Sequence, residues 1–176
     1  MGIRWSEAQY AEYLKQNNKV SNRGSTTTVL VGGYQSKWSG WATIGGNKCY
    51  FRSKWERDYA CVLEYRKKQG ELLSWEYEPE KFSFTHKHQT GATSYVPDFR
   101  ITYVSGKKQW IEVKGYLNPV SKQKIKRFHK LYPQEGEIEL ITSAWFKSHY
   151  QLIRTLPDYI SLEGLQALKK QEKKNP

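Results

Sequence analysis

Two short runs, "DFRITYV" at residues 98–104 and "KQWIEVK" at residues 108–114, flank a Ser105-Gly106 turn and constrain this chain most strongly. Both alternate bulky apolar residues with polar ones, the period of a half-buried strand. Together they read as an antiparallel hairpin. Alternation puts Phe99, Ile101 and Tyr103 on one face and Asp98, Arg100 and Thr102 on the other. It likewise sets Ile111 and Val113 against Glu112 and Lys114. The turn decides how these faces align. A two-residue turn, Ser105-Gly106, pairs Asp98 with Val113 and separates it from Glu112. A three-residue loop, Ser105-Gly106-Lys107, pairs Asp98 with Lys114 and makes Asp98 and Glu112 diagonal neighbours, about 7–8 Å apart at Cβ. Gly106 suits the left-handed position of such a loop.

The flanks supply the rest of an α/β sandwich. Residues 52–70 repeat apolar side chains at helical spacing, with Ser53 as N-cap and Gly70 beyond the C-terminus. Before them, "SKWSGWATIGGNKCYF" reads as a hairpin turning at Gly45-Gly46-Asn47. "LLSWEYE" reads as a strand stopped by Pro79, "KFSF" as a short second one, and "THKHQTGATS" as a loop. After the central hairpin, "NPVSKQKIKRFHKLYP" is a helix with Pro119 near N1 and an inner stripe of Ile125, Phe128 and Leu131. "IELIT", residues 138–142, has the apolar run of a strand in a parallel pair, which gives a β–α–β crossover. Helices over 144–154 and about 161–170 follow. The expected organisation is an N-terminal helix (4–16) and linker within 1–30, a core over 31–156, and a C-terminal helix and basic tail over 157–176.

Composition bounds the partners. The formal net charge of +12 suits an acidic partner, nucleic acid first, although excess lysine also keeps proteins soluble. Cys49 and Cys61 lack CxxC spacing and a matching histidine set, which argues against zinc. They read as packed thiols. No run is long enough to span a bilayer and none resembles a signal peptide, so the expected location is intracellular.

Asp98, Glu112 and Lys114 on one face admit two readings. One is a cross-strand ion pair. The other is phosphodiester hydrolysis: hard oxygen ligands hold Mg²⁺, which neutralises phosphate charge and activates water. A lysine beside them would orient or deprotonate the water, or steady the transition state. A neighbouring cation and burial would lower its pKa. Glu56 and Glu76 are further candidate ligands, although Ser53-x-x-Glu56 is itself a capping box and Glu76 suits an exposed edge. Asp58, Glu64, Glu78 and Glu80 read as solvated charges, and His86-x-His88 as part of a polar loop.

"YVPDF", followed thirteen residues later by "EVKG", resembles the PD-(D/E)xK nuclease signature. With "FRSKWE" and "WEYEPE" ahead of it, the ordered set over residues 50–142 resembles the endonuclease I group of the T-odd phages, which resolve Holliday junctions. That resemblance implies a restriction-endonuclease-like mixed sheet flanked by helices. It implies Asp98, Glu112, Glu56 and Glu76 as metal ligands, Lys114 as a catalytic partner, and Mg²⁺ as cofactor with Mn²⁺ able to substitute. It also implies branched DNA as substrate, a homodimer, and the host cytoplasm as the place of action. Lys122, Lys124, Lys126, Arg127 and Lys130 on the following helix, with Lys107 and Lys108 on the hairpin, would neutralise phosphates. Tyr34, Trp38 and Trp41 either stack on unpaired bases or pack their hairpin onto the core. The rival functions are a nickase or duplex endonuclease without junction preference, and a non-catalytic DNA-binding module.

Overall fold

The computed structural model describes residues 38–84 and 91–172. The helix expected over 4–16, its linker, Tyr34, the His86–His88 loop and the last four residues lie outside them.

Gly45 and Gly46 both adopt left-handed φ, +58° and +84°, as a two-residue hairpin turn requires. They join β1 (Gly40–Ile44) to β2 (Asn47–Phe51), with Ile44 opposite Asn47. Helix α1 (Lys54–Lys68) starts where Ser53, in extended conformation, accepts the Glu56 N–H at 3.2 Å. It ends before Gly70, which takes φ +73°. From Lys54 to Glu64 this helix is buried on every side. Asp58 and Glu64 are therefore not the solvated charges the sequence suggests. Lys54 and Arg57 pair with Asp58, and the Trp75 indole donates to Glu64 at 2.9 Å. A buried carboxylate persists only with such partners. Glu78 and Glu80 form ion pairs with Arg52 and Arg100.

The main sheet has four strands, β3 (Leu72–Tyr77), β6 (Phe99–Tyr103), β7 (Lys108–Lys114) and β8 (Ile138–Thr142), in the order β3-β6-β7-β8. The first three are antiparallel and β8 runs parallel to β7. A second pair, β4 (Phe82–Ser83) and β5 (Ser94–Tyr95), stands beside it. Helix α2 (Pro119–Leu131) makes the β7-to-β8 crossover, with Asn118 accepting the Ser121 N–H at 2.8 Å. Helices α3 (Ser143–Thr155) and α4 (Leu162–Glu172) follow.

Phe99, Ile101, Ile111 and Val113 pack with α1, with Phe146 of α3 and with Leu165 of α4 in one core. Helix α4 thus shares the core of the preceding elements. Trp110 and Ile138 pack with Phe82, Tyr95 and Phe128 of α2 in a second core. The chain is a mixed α/β protein, with helices flanking a mixed sheet. Cys49 and Cys61 are free thiols, and burial pushes Cys61 up to about 12. Among the described residues, no helix is long and apolar enough to cross a membrane.

The central hairpin closes differently from the sequence-based expectation. Tyr103 N–H bonds to Lys107 O, and Gly106 N–H to Tyr103 O, both at 2.8 Å. The loop is therefore Val104-Ser105-Gly106. Gly106, at φ +81°, must occupy the last, left-handed position of a three-residue loop, which draws the loop back by one residue. With Phe99 opposite Ile111, the continued register places Asp98 opposite Glu112 rather than diagonal to it. The shared face survives.

Candidate active site

Asp98 stands at the entrance to β6, 6% exposed. Its carbonyl accepts the Glu78 N–H at 2.8 Å, and its carboxylate accepts the Val113 N–H at 2.7 Å. Glu112, in mid-β7, is 3% exposed. It takes a hydrogen bond from the Tyr95 hydroxyl at 2.8 Å and an ion pair from Lys114 Nζ at 2.9 Å. The same ammonium lies 3.9 Å from Asp98. Lys114 is the more open member of the group, with 31% of its side chain exposed.

Glu56 stands at the start of α1 and closes the capping box. Its carboxylate accepts the Ser53 hydroxyl at 2.7 Å and the Arg52 N–H at 3.0 Å. The Tyr77 hydroxyl donates to it at 2.6 Å. Its charge also bears on both Asp98 and Lys114. Capping and a place beside the cluster are therefore compatible.

The electrostatics follow from this crowding. Burial first, then Glu112 and Glu56, hold the Asp98 carboxyl well above the usual carboxylate range, against Lys114 and the Val113 N–H. Burial works against the Lys114 ammonium. Asp98, Glu112 and Glu56 outweigh it and push its pKa up. The lowering expected from sequence is thus reversed in the metal-free protein, because carboxylates surround the lysine. Burial and their carboxylate partners also push the Tyr95 and Tyr77 hydroxyls up, so both remain donors.

Residues 36–148 match a family described as Protein of unknown function (DUF1064). The chain belongs to this family. No curated protein and no solved structure matches it.

The DUF1064 span holds Asp98, Glu112 and Lys114 together, with Glu56 near enough for its charge to bear on them, but it does not bring Glu76 to them. Glu76 is exposed on β3 opposite Arg100, whose Nε donates to it at 2.9 Å. That guanidinium also lies over the Trp110 ring, 5.5 Å from its centroid. Among the described residues, no three His, Cys, Asp or Glu side chains converge as a metal-holding group.

Of the basic side chains in the same span, Lys107, Lys108, Lys122, Lys126 and Lys130 are exposed, and Lys124 is half-buried. Arg127 serves the fold as well, donating to the Ala92 carbonyl at 2.7 Å. Sequence reasoning missed Tyr95 and Tyr77, the hydroxyl partners of Glu112 and Glu56. Their signal was position. Tyr95 lies three residues before Asp98, and Tyr77 follows Glu76 on the strand beside β6.

Proposed function

We propose that this protein is a Mg²⁺-dependent DNA endonuclease that hydrolyses phosphodiester bonds, with a restriction-endonuclease-like core and selectivity for branched DNA. One observation carries the reading. Two buried carboxylates, Asp98 and Glu112, meet at one lysine, with Glu56 adding a third negative charge nearby. Such a cluster carries more negative charge than Lys114 neutralises. The donor set fits a hard divalent ion, since Mg²⁺ is usually held by one or two carboxylates, its own waters and substrate phosphates.

Asp98 and Glu112 would hold the ion, and Glu56 would act from beside them. When bound, the ion would neutralise phosphate charge and acidify a water. The chain's own groups do the rest. The Val113 N–H and the Tyr95 hydroxyl fix the two ligands in place, as partners of ligating carboxylates do. Tyr77 and Ser53 aim Glu56. Lys114, kept as an ammonium by its neighbours, donates to a phosphate oxygen or to the attacking water. Lys122, Lys126 and Lys130 on α2, with Lys107 and Lys108 on the hairpin, supply salt-dependent, sequence-independent affinity for phosphates.

Selectivity for branched DNA rests on the resemblance to the endonuclease I group. The test is a gel assay with an end-labelled four-way junction and a matched linear duplex, each with Mg²⁺ or EDTA. Junction cleavage that needs Mg²⁺ and spares the duplex supports the full proposal. Equal cleavage of both removes the junction preference, and no cleavage with any divalent metal removes the nuclease.

A further inference from the structure

Consecutive residues of α1 serve different places. Glu56 turns to the carboxylate cluster, while Arg57 lines a cleft of about 270 Å³ between the β1–β2 hairpin and α4. Trp38 and Trp41 also line it, with Lys48 from the hairpin, and Leu168 and Lys169 from α4. No acidic residue is among its lining residues.

Two observations indicate that the cleft is built for a ligand. The first is a pair of stranded donors. Trp38 Nε1 and Arg57 Nε are buried and have no hydrogen-bond partner among the described residues. Trp38 is 5% exposed and Arg57 1%. The other guanidinium nitrogens of Arg57 are engaged, one with Asp58 at 3.3 Å and one with the Asp158 carbonyl. Native proteins rarely leave buried N–H groups unpaired, because the hydration lost on burial is then not replaced. The second is an open aromatic among cations. Trp41 is 52% exposed, set edge-on to Tyr50 at 5.5 Å, with Lys48 Nζ 5.6 Å from its ring centroid. Lys169 crosses to the same edge of the hairpin and donates to the Ser39 carbonyl at 2.5 Å.

We propose that this cleft binds an unpaired nucleotide of a single strand, its base stacked on Trp41 and its phosphate held by Lys48 and Lys169, with Trp38 and Arg57 in the wall behind them. A nucleotide combines what the cleft asks for: a flat π-face, hydrogen-bond acceptors and a negative charge. Aromatic platforms beside cations are how proteins grip single strands without reading sequence. The cleft uses none of the carboxylate cluster, so its occupancy does not depend on the nuclease reading.

The test is fluorescence anisotropy of a labelled oligodeoxythymidylate with the full chain in EDTA, where cleavage plays no part. Trp41→Ala should weaken binding roughly five- to a hundredfold, the loss expected for one base–aromatic stack. Trp41→Phe should retain most of it, and duplex binding should not change. Lys48→Ala should reduce the slope of log affinity against log salt by about 0.7, one phosphate contact on a single strand. Thermal melts check that each exposed-site variant is folded. Equal binding by wild type and Trp41→Ala would overturn the proposal. So would inorganic polyphosphate, which has no bases, competing as well as the unlabelled oligonucleotide, or an acidic peptide displacing it at equal concentration.

Discussion

The Asp98 carboxylate accepts the backbone N–H of Val113 at 2.7 Å. That bond ties the entrance of β6 to β7 through a side chain, and it fixes the carboxylate beside Glu112 and Lys114. A carboxylate facing outward keeps its charge in water at little cost. This one is held among other acids.

The stability of the metal-free protein should therefore reveal Asp98 as a burden. Burial, Glu112 and Glu56 raise its native pKa. A carboxyl raised on folding favours the native state at low pH. That advantage is lost as pH climbs from the unfolded value of about 4 through the raised native value. Asp98→Asn removes this slope. Thermal melts in EDTA should find the variant at least as stable as wild type at neutral pH, with the gap closing toward about pH 4. A clear loss of stability at neutral pH would mean that the charge holds the fold together.

Divalent metal should reverse that burden. Added Mg²⁺ should raise the melting temperature of wild type, by the equivalent of about 2.7 kcal/mol at a hundredfold excess over Kd. Asp98→Asn combined with Glu112→Gln should show no shift. An equal shift in both proteins would place the metal elsewhere.

The two outlying glutamates should separate. Glu56→Gln disturbs a group whose charge reaches Asp98 and Lys114, and activity should fall roughly ten- to a hundredfold. Glu76→Ala breaks only its exposed pairing with Arg100. It should change stability by no more than about 1 kcal/mol and leave cleavage at the wild-type level. Single-turnover rates for both variants decide this, and a loss with Glu76→Ala as large as with Glu56→Gln would restore Glu76 to the site.

Gly115 follows Lys114 directly, and a Cβ there would come within 2.3 Å of the Trp55 ring. That ring stacks on Phe146 at 5.0 Å, so it has little room to retreat. Gly115→Ala should cost about 1–3 kcal/mol, as overpacking does, read by urea denaturation. A neutral result would mean that the ring yields.

Much of this was legible in the sequence because it is local. Alternation in "KQWIEVK" put Glu112 and Lys114 on one face and left Asp98 to the turn, while Ser53 as N-cap and Pro119 near N1 marked two helix starts. Pattern alone does not show which loop position Gly106 fills, so it sets the loop one residue late. Asp58 and Glu64 look solvated in the sequence for another reason. Helix α1 is covered on all sides, and its charges are satisfied by Lys54, Arg57 and Trp75, a tertiary arrangement that no helical period reveals. The same holds for Tyr77 and Tyr95, whose hydroxyls find Glu56 and Glu112 only once the sheet has assembled. Trp38 and Trp41, three residues apart, have separate fates: one is buried in the core and the other exposed.

The central claim is that Asp98 and Glu112 bind a metal that cuts DNA. The most direct measurement compares wild type with Asp98→Asn, both shown to be folded, on one end-labelled four-way junction with Mg²⁺. Wild type should cut, and the variant should bind the junction yet cut several orders of magnitude more slowly. Cleavage by Asp98→Asn at the wild-type rate would contradict the account.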